Sequence, residues 1–208
     1  RWIATLGMPR GVEESPAERT FVHPASLERR TSLEPATNAI IASERLSLCP
    51  FEPENAEQAA RWLLQDTEAS FPEGPEIVNP WTYGRHFVEI ARHSPPDWLR
   101  FAIVRNEDSL VIGATGLEHY SSLDATAETE IMLFHPEFRN RGYGTEAKQL
   151  LLDFAFERLG LHMIYSWVSE FNVRSAAALR KQGYREAGYM AWATPYRGNF
   201  VGAWYFDL

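Results

Sequence analysis

The chain has 208 residues, 45% of them hydrophobic, which is enough for one well-packed domain with a short appendage. Its 20 basic and 28 acidic residues give a formal net charge of -8, and this balance argues against nucleic acid as a partner, because that affinity depends on neutralising phosphates. The single cysteine, Cys49, fits a reducing, cytoplasmic compartment, and the lack of an apolar stretch long enough to span a bilayer argues against a membrane partner.

Residues 1–44 differ in character from the rest of the chain. They contain four prolines, many charges and little sustained periodicity, which predicts an arm outside the main domain. The domain itself is expected to cover residues 45–208. The arm also carries apolar residues such as Trp2 and Phe21, so it could dock on the domain or on a second copy. A monomer and a homodimer therefore both fit the sequence.

From residue 45 onward the pattern becomes regular. Pro53 suits the first turn of one helix and Pro80 that of another, while Gly160 and Gly183 suit helix ends. The predicted elements in chain order are a strand at 45–51, helices at 53–65 and 79–93, strands at 99–105, 110–117 and 127–135, a helix at 145–159, a strand at 163–169, a helix at 172–182, and strands at 184–191 and 200–206. The order βααβββαβαββ predicts an α/β fold with a mixed sheet.

A basic, glycine-containing loop connects the strand at 127–135 to the next helix. Gly142 and Gly144 allow a close backbone approach to a ligand, and the free amides at the helix start favour an anion. Arg139, Arg141 and Lys148 add positive charge. A pyrophosphate fits this loop. A tight turn that binds nothing fits the two glycines equally well.

The same loop resembles a known family. Arg139-x-x-Gly142-x-Gly144 matches the Gln/Arg-x-x-Gly-x-Gly/Ala signature of the GNAT acetyltransferases, and residues 130–147 look like the RimJ/RimL branch. A second block at 172–184 has the Asn-x-x-Ser, Leu and Gly-Tyr spacing of the helix after the fifth family strand. The resemblance implies the GNAT fold, with a mixed, mostly antiparallel sheet. It also implies acetyl transfer from acetyl-CoA to a primary amine by direct attack, the acceptor being a protein N-terminus or a small amine such as an antibiotic, a polyamine or an amino acid.

The resemblance also implies how acetyl-CoA is held. Strand amides near Met132, Leu133 and Phe134 would bind the pantetheine arm, and the amide of Leu133 or its neighbour would bind the thioester oxygen. The phosphates would lie on the loop formed by Arg139, Asn140, Arg141, Gly142, Tyr143, Gly144 and Thr145.

Catalytic groups can be assigned by the same matching. Glu130 is the candidate general base, and Glu128 competes because it lies on the same strand face. Asn172 begins a helix, so it is expected to cap that helix and, by resemblance, to contact the pantetheine. Ser175 would hydrogen-bond the coenzyme sulfur. Tyr184 is an alternative acid, although its place at a strand start is more typical of a core residue.

The six histidines and the single cysteine show no metal-ligand spacing, so no metal is predicted. The acceptor pocket is expected to involve the first two helices, the loop at 71–79 and the last strands. A different hypothesis also fits the motifs: a GNAT-like module that binds acyl-CoA as a regulator without turning it over. The acidic residue at position 130, together with Asn172 and Ser175, favours the enzyme.

Overall fold

A computed structural model describes residues 35–65, 98–196 and 198–208. The predicted helix at 79–93, the loop at 71–79 and most of the N-terminal arm lie outside the described residues. In chain order the elements are β1 (Ile41–Ala42), β2 (Leu46–Pro50), α1 (Pro53–Gln65), β3 (Leu99–Arg105), β4 (Leu110–Ser121), β5 (Thr126–Leu133), a 3-10 turn (Pro136–Phe138), α2 (Tyr143–Asp153), a π-helical turn (Phe154–Arg158), β6 (Met163–Ser169), α3 (Val173–Lys181), β7 (Arg185–Tyr196) and β8 (Asn199–Asp207).

The predicted mixed α/β architecture is confirmed. Helix α1 and strands β3 and β6 have the predicted bounds. Strand β5 ends at Leu133, earlier than predicted, because His135 and Pro136 begin the 3-10 turn. The predicted helix at 145–159 begins two residues earlier as α2 and finishes as the π-helical turn, after which Gly160 takes a positive φ of 67°. No helix in the described residues is long and apolar enough to cross a membrane.

Eight strands form one open sheet in the order β1-β2-β3-β4-β5-β6-β8-β7. Every neighbouring pair is antiparallel except β5 and β6. A parallel pair needs a crossover connection, and α2 with its π-helical turn provides it. Within residues 35–65, 98–196 and 198–208, β5 and β6 are therefore the one neighbouring pair of strands whose carboxyl ends lie side by side.

The two faces of the sheet are covered by different helices. On one face, α1 packs through Ala56 and Ala59 against strand residues that include Val111 and Ala114. On the other face, α2 and α3 pack through Leu151 and Leu179 in the larger core cluster. Burial on both faces fixes the strand register, since a slip of one residue would exchange the faces of every side chain.

The described part of the N-terminal arm, residues 35–44, contacts the domain. Strand β1 pairs with β2 at the sheet edge, with Ile41 opposite Leu48. Arg158 Nη1 donates a hydrogen bond to the carbonyl of Ile40 over 2.8 Å, and Ser43 Oγ donates to Glu146 Oε1 over 2.6 Å. The end of the arm is thus attached to both ends of the crossover helix region.

Candidate active site

Strands β5 and β6 pair over only three residues and then separate. The register runs from Thr126 opposite Met163 to Glu128 opposite Tyr165. Beyond this point β5 stays bonded to β4, and β6 stays bonded to β8. The result is a wedge at the carboxyl ends of the parallel pair, which is the usual ligand position in sheets with helical crossovers.

The hydrogen-bond pattern decides which β5 amides face this wedge. The amide of Phe134 donates to the carbonyl of Ile112 over 3.0 Å, so it is used within the sheet, contrary to its predicted role in binding pantetheine. Amide directions alternate along an antiparallel pair. The amide of Met132 therefore also points toward β4, and those of Ile131 and Leu133 point into the wedge. Of the three predicted positions, Leu133 has the orientation needed to bind a ligand there.

The basic loop lies at the mouth of the wedge. Buried Phe138 anchors its start. Asn140 and Gly142 both have left-handed backbone angles, with φ of 60° and 82°, and α2 begins directly afterwards at Tyr143. A loop of this kind directs successive amides, together with the helix dipole, toward one anion. The side chain of Arg141 is exposed, so it remains available to a phosphate.

Arg45, at the start of the domain, supports this loop from behind. Its guanidinium is ion-paired with Glu146 in the first turn of α2 and donates to the carbonyl of Arg141 over 3.3 Å. It also lies 5.1 Å from the ring centre of Tyr143. An acid in the first turn would compete with a phosphate for the helix N-terminus. Pairing with Arg45 offsets that competition.

Helix α3 runs from the loop to the predicted catalytic pair. At its C-terminal end, Gln182 Nε2 donates to the carbonyl of Thr145 over 3.1 Å. At its other end, the Asn172 side chain accepts a hydrogen bond from the amide of Ser175 over 3.2 Å, so Asn172 is the N-cap. The helix has 9 residues and covers about 14 Å at about 1.5 Å per residue. The helix therefore spans the distance between the loop and the residues Asn172 and Ser175.

Tyr184 is a core residue and is poorly suited to be the acid. Its hydroxyl lies 3.1 Å from Thr129 Oγ1, and the residue is only 5% exposed. Burial raises its pKa to about 12, which makes it a weak proton donor near neutral pH. Its structural role is to connect α3 to the inner side of β5.

The candidate base Glu130 belongs to a charged cluster on three neighbouring strands. Arg100 on β3 has a side chain that is 4% exposed, and its guanidinium contacts both Glu130 on β5 and Glu118 on β4. Glu128, the competing base, has its carboxylate 3.3 Å from His119 Nδ1 and is less exposed than Glu130. Burial raises the pKa of Glu128. Glu130 is therefore the more accessible of the two candidates.

Arg100, Glu118 and Lys148 were not predicted as members of the cluster. Lys148 is on α2, one turn after Gly144, and is 3% exposed. Burial lowers its pKa to about 7, although the charges of Glu130, Glu128 and Glu118 favour its ammonium form. Because these groups come from separate strands and a helix, no local motif marks them. In the sequence, the one signal of this cluster was the positive charge of Lys148 within an otherwise apolar stripe of the helix.

Among the residues that the structure describes, no group of three or more His, Cys, Asp and Glu side chains is arranged to hold a metal ion. The candidate site is instead built from backbone amides, an arginine-rich loop and a carboxylate cluster. The wedge has the basic loop at its mouth and the carboxylate of Glu130 on the adjoining strand β5.

The comparisons with known proteins agree with this geometry. The acetyltransferase (GNAT) domain matches residues 45–185, and the chain belongs to the GNAT acetyltransferase family. Uncharacterized N-acetyltransferase YnaD from Bacillus subtilis (strain 168) is 27% identical over 106 residues, which cover 51% of this chain and 61% of YnaD, less than two thirds of that protein. An N-acetyltransferase 9-like protein from Caenorhabditis briggsae is 24% identical over 162 residues, covering 73% of this chain and 80% of the relative.

The fold is also that of solved family members. The crystal structure of a GNAT-family acetyltransferase from Bacillus anthracis superimposes with a TM-score of 0.68 at 24% identity, covering 81% of this chain and 96% of that chain. This likeness confirms the expected GNAT fold.

Proposed function

We propose that this chain transfers the acetyl group of acetyl-CoA to a primary amine by direct attack of the amine on the thioester. The observation that carries the proposal is the wedge between β5 and β6, which has the basic loop at its mouth and Glu130 on the adjoining strand. Family membership supports the choice of acetyl-CoA as donor.

Each part of the site has one task in this reaction. The amides that follow Asn140 and Gly142, with Arg139 and Arg141, hold the pyrophosphate. The amide of Leu133 donates to the thioester oxygen as negative charge develops on it. The donor and the acceptor need different groups, and the donor side uses mainly backbone.

Side chains act on the amine, on the leaving sulfur and on the pantetheine. Glu130 takes a proton from the amine nitrogen as the new C–N bond forms and the C–S bond breaks. The Ser175 hydroxyl donates a hydrogen bond to the departing sulfur. Asn172 caps α3 through its side-chain oxygen, which leaves its amide group free to donate to the pantetheine.

The acceptor is a protein N-terminus or a small amine, as in the RimJ/RimL branch, and the reaction takes place in the cytoplasm. The net charge of -8 supports an acceptor that is cationic in solution, because a negative field concentrates cations. A screen with amino-terminal peptides, aminoglycosides and polyamines, detecting release of free thiol, identifies the class. Binding of acetyl-CoA with no thiol release for any amine would support the regulatory module instead.

Replacement of the base provides the sharpest test. Glu130→Gln should lower kcat by about 100-fold or more while leaving the Kd for acetyl-CoA unchanged in calorimetry, because general-base catalysis is worth about 10²–10⁴-fold. The matched control is Glu57→Gln on the surface of α1, where the carboxylate is 68% exposed. An unchanged rate for Glu130→Gln removes Glu130 from the mechanism.

A further inference from the structure

Glu130 does not stand alone in the site. The strand register places Arg100 opposite Gly116, and Gly116 opposite Glu130. Glu118 follows two residues later on the same face of β4. The buried guanidinium of Arg100 reaches both carboxyl groups, with Nη2 2.9 Å from Glu118 Oε1 and Nη1 in contact with Glu130 Oε1.

Both carboxyl groups therefore share one buried guanidinium. Two carboxyl groups that share a site disfavour double ionisation, so one of them is expected to hold a proton. A protonated carboxyl group can donate a hydrogen bond to an ionised one. Glu118 is the better holder of that proton, because its side chain is 16% exposed and that of Glu130 is 32% exposed. Burial raises the pKa of Glu118 well above its usual range, and the neighbouring Glu130 raises it further.

Charged and titratable groups of neighbouring strands and of α2 surround the pair. Arg100 supplies a fixed positive charge from β3, and Lys148 supplies a titratable one from α2. The carboxylate of Glu128 on β5 lies 3.3 Å from His119 Nδ1 on β4. On β6, the pKa of Tyr165 is raised by its own burial and then by Glu128 and Glu118, so its hydroxyl stays neutral.

We propose that Glu118 is a positioning residue of the reaction. Its protonated carboxyl group donates a hydrogen bond to Glu130, beside the Arg100 guanidinium that both groups contact, so that the pair accepts the amine proton as one unit. This inference rests on the proposed acetyl transfer. Because Glu118 is neutral, Glu130 carries the single negative charge at the exposed end of the pair. Glu118 itself need not touch the acceptor.

The proton balance follows directly. Before the reaction, Glu118 is protonated and Glu130 is ionised. The amine nitrogen forms a bond to the thioester carbon, the C–S electron pair leaves with sulfur, and one amine proton moves to Glu130. The pair is then neutral, the thiolate takes a proton from water, and Glu130 returns its proton to water.

The protonation state can be measured without any activity assay. Protein labelled with ¹³C at the glutamate carboxyl carbon is titrated by NMR, and the two signals are assigned from their loss in Glu118→Gln and Glu130→Gln. We expect the Glu118 carbon to remain in the protonated range through neutral pH. A Glu118 signal that is already in the ionised range at neutral pH overturns the proposal.

Kinetics then test the role. Glu118→Gln keeps a neutral group that donates to Glu130, so kcat/KM near neutral pH should stay within about threefold of the wild type. Glu118→Met removes the donor and should lower kcat/KM by about 10- to 100-fold, as expected for a lost hydrogen bond to a charged group. The pH dependence is best followed as the ratio of the wild-type kcat/KM to that of Glu118→Gln, because the ionisation of the acceptor amine affects both enzymes equally. This ratio should be constant near neutral pH and change only in the alkaline range.

Two kinetic outcomes contradict the proposal. If Glu118→Gln loses as much activity as Glu130→Gln, then Glu118 acts as an ionised group. If Glu118→Met is as active as the wild type, the hydrogen bond has no role in the reaction. Absence of transfer by the wild-type protein to every amine would refute the proposed function instead, and the NMR titration would still decide whether the carboxyl pair shares a proton.

Discussion

Lys148 allows a quantitative test of the buried charge cluster. The chain has two lysines, of which Lys148 is buried and Lys181 is exposed. We consider the substitution Lys148→Met, which keeps an unbranched side chain of similar length and removes the amine. Burial lowers the pKa of Lys148 from its ordinary 10.5 to about 7, and each pKa unit corresponds to about 1.4 kcal/mol. The cost of holding the lysine in the folded state is therefore at most about 5 kcal/mol.

The direction in which the free energy of unfolding changes with pH follows from proton linkage. Above pH 10.5 the amine is neutral in both the folded and the unfolded chain, so this cost is absent. Between pH 10.5 and 7 the unfolded chain binds a proton that the folded chain does not, so the free energy of unfolding of the wild type falls as the pH falls. Below pH 7 both states are charged and the full cost is present.

Urea unfolding at a series of pH values measures this effect. Relative to the wild type, Lys148→Met should have the higher free energy of unfolding near pH 7, and the difference should shrink as the pH rises toward 10.5. The wild type and the variant contain the same carboxyl groups. The difference between their free energies of unfolding at each pH therefore cancels, to first order, the contribution of carboxyl titration. Lys181→Met is the matched control and should show no pH-dependent difference. A difference between the wild type and Lys148→Met that does not vary with pH would mean that the amine is solvated in the folded protein.

Substitutions at two further residues, Gly142 and Asn172, test the proposed donor site. Gly142→Ala places a side chain at a φ of 82° and should weaken acetyl-CoA binding in calorimetry, whereas Gly160→Ala, at a φ of 67° remote from the loop, should cost about 1 kcal/mol of stability with no change in affinity. Equal affinity losses for both would show that the effect is general destabilisation. Asn172→Ala should cost about 1 kcal/mol as a lost N-cap. Asn172→Asp should restore stability, because Asp also caps helices. If the side-chain amide of Asn172 donates to pantetheine, the KM for acetyl-CoA should stay raised in Asn172→Asp. Full recovery of KM in Asn172→Asp would limit Asn172 to capping.

The elements that were predicted correctly have local causes. Helix α1 begins at Pro53 because proline suits the first helical turn, and α3 is preceded by Asn172 because its side chain satisfies a free amide. The loop before α2 needs a left-handed residue, and Gly142 meets that requirement. Each of these signals lies within a few residues of the structure that it specifies.

Other features were predicted less well because their causes are remote in sequence. Strand β5 ends before His135, whose ring packs on Trp62 of α1 with 5.2 Å between ring centres. Phe134 was predicted to bind the donor, but its amide is satisfied by Ile112. The direction of a strand amide depends on which neighbouring strand it bonds to. An alternating sequence pattern does not specify that neighbouring strand.

By itself, the sequence determined the fold class and the turn before α2, since glycine, proline and capping residues act on their own neighbourhood. Only the tertiary structure decided the surroundings of the candidate base. Arg100, Glu118 and Glu130 are separated by 12 to 30 positions in the chain, and strand register brings the two carboxyl groups into contact with the Arg100 guanidinium on one face of the sheet. Lys148 on α2 lies close enough for the charges of Glu130, Glu128 and Glu118 to act on its amine. The protonation of a carboxyl group depends on such neighbours and on burial, so the chemistry of this site follows from the packing of the sheet and its helices.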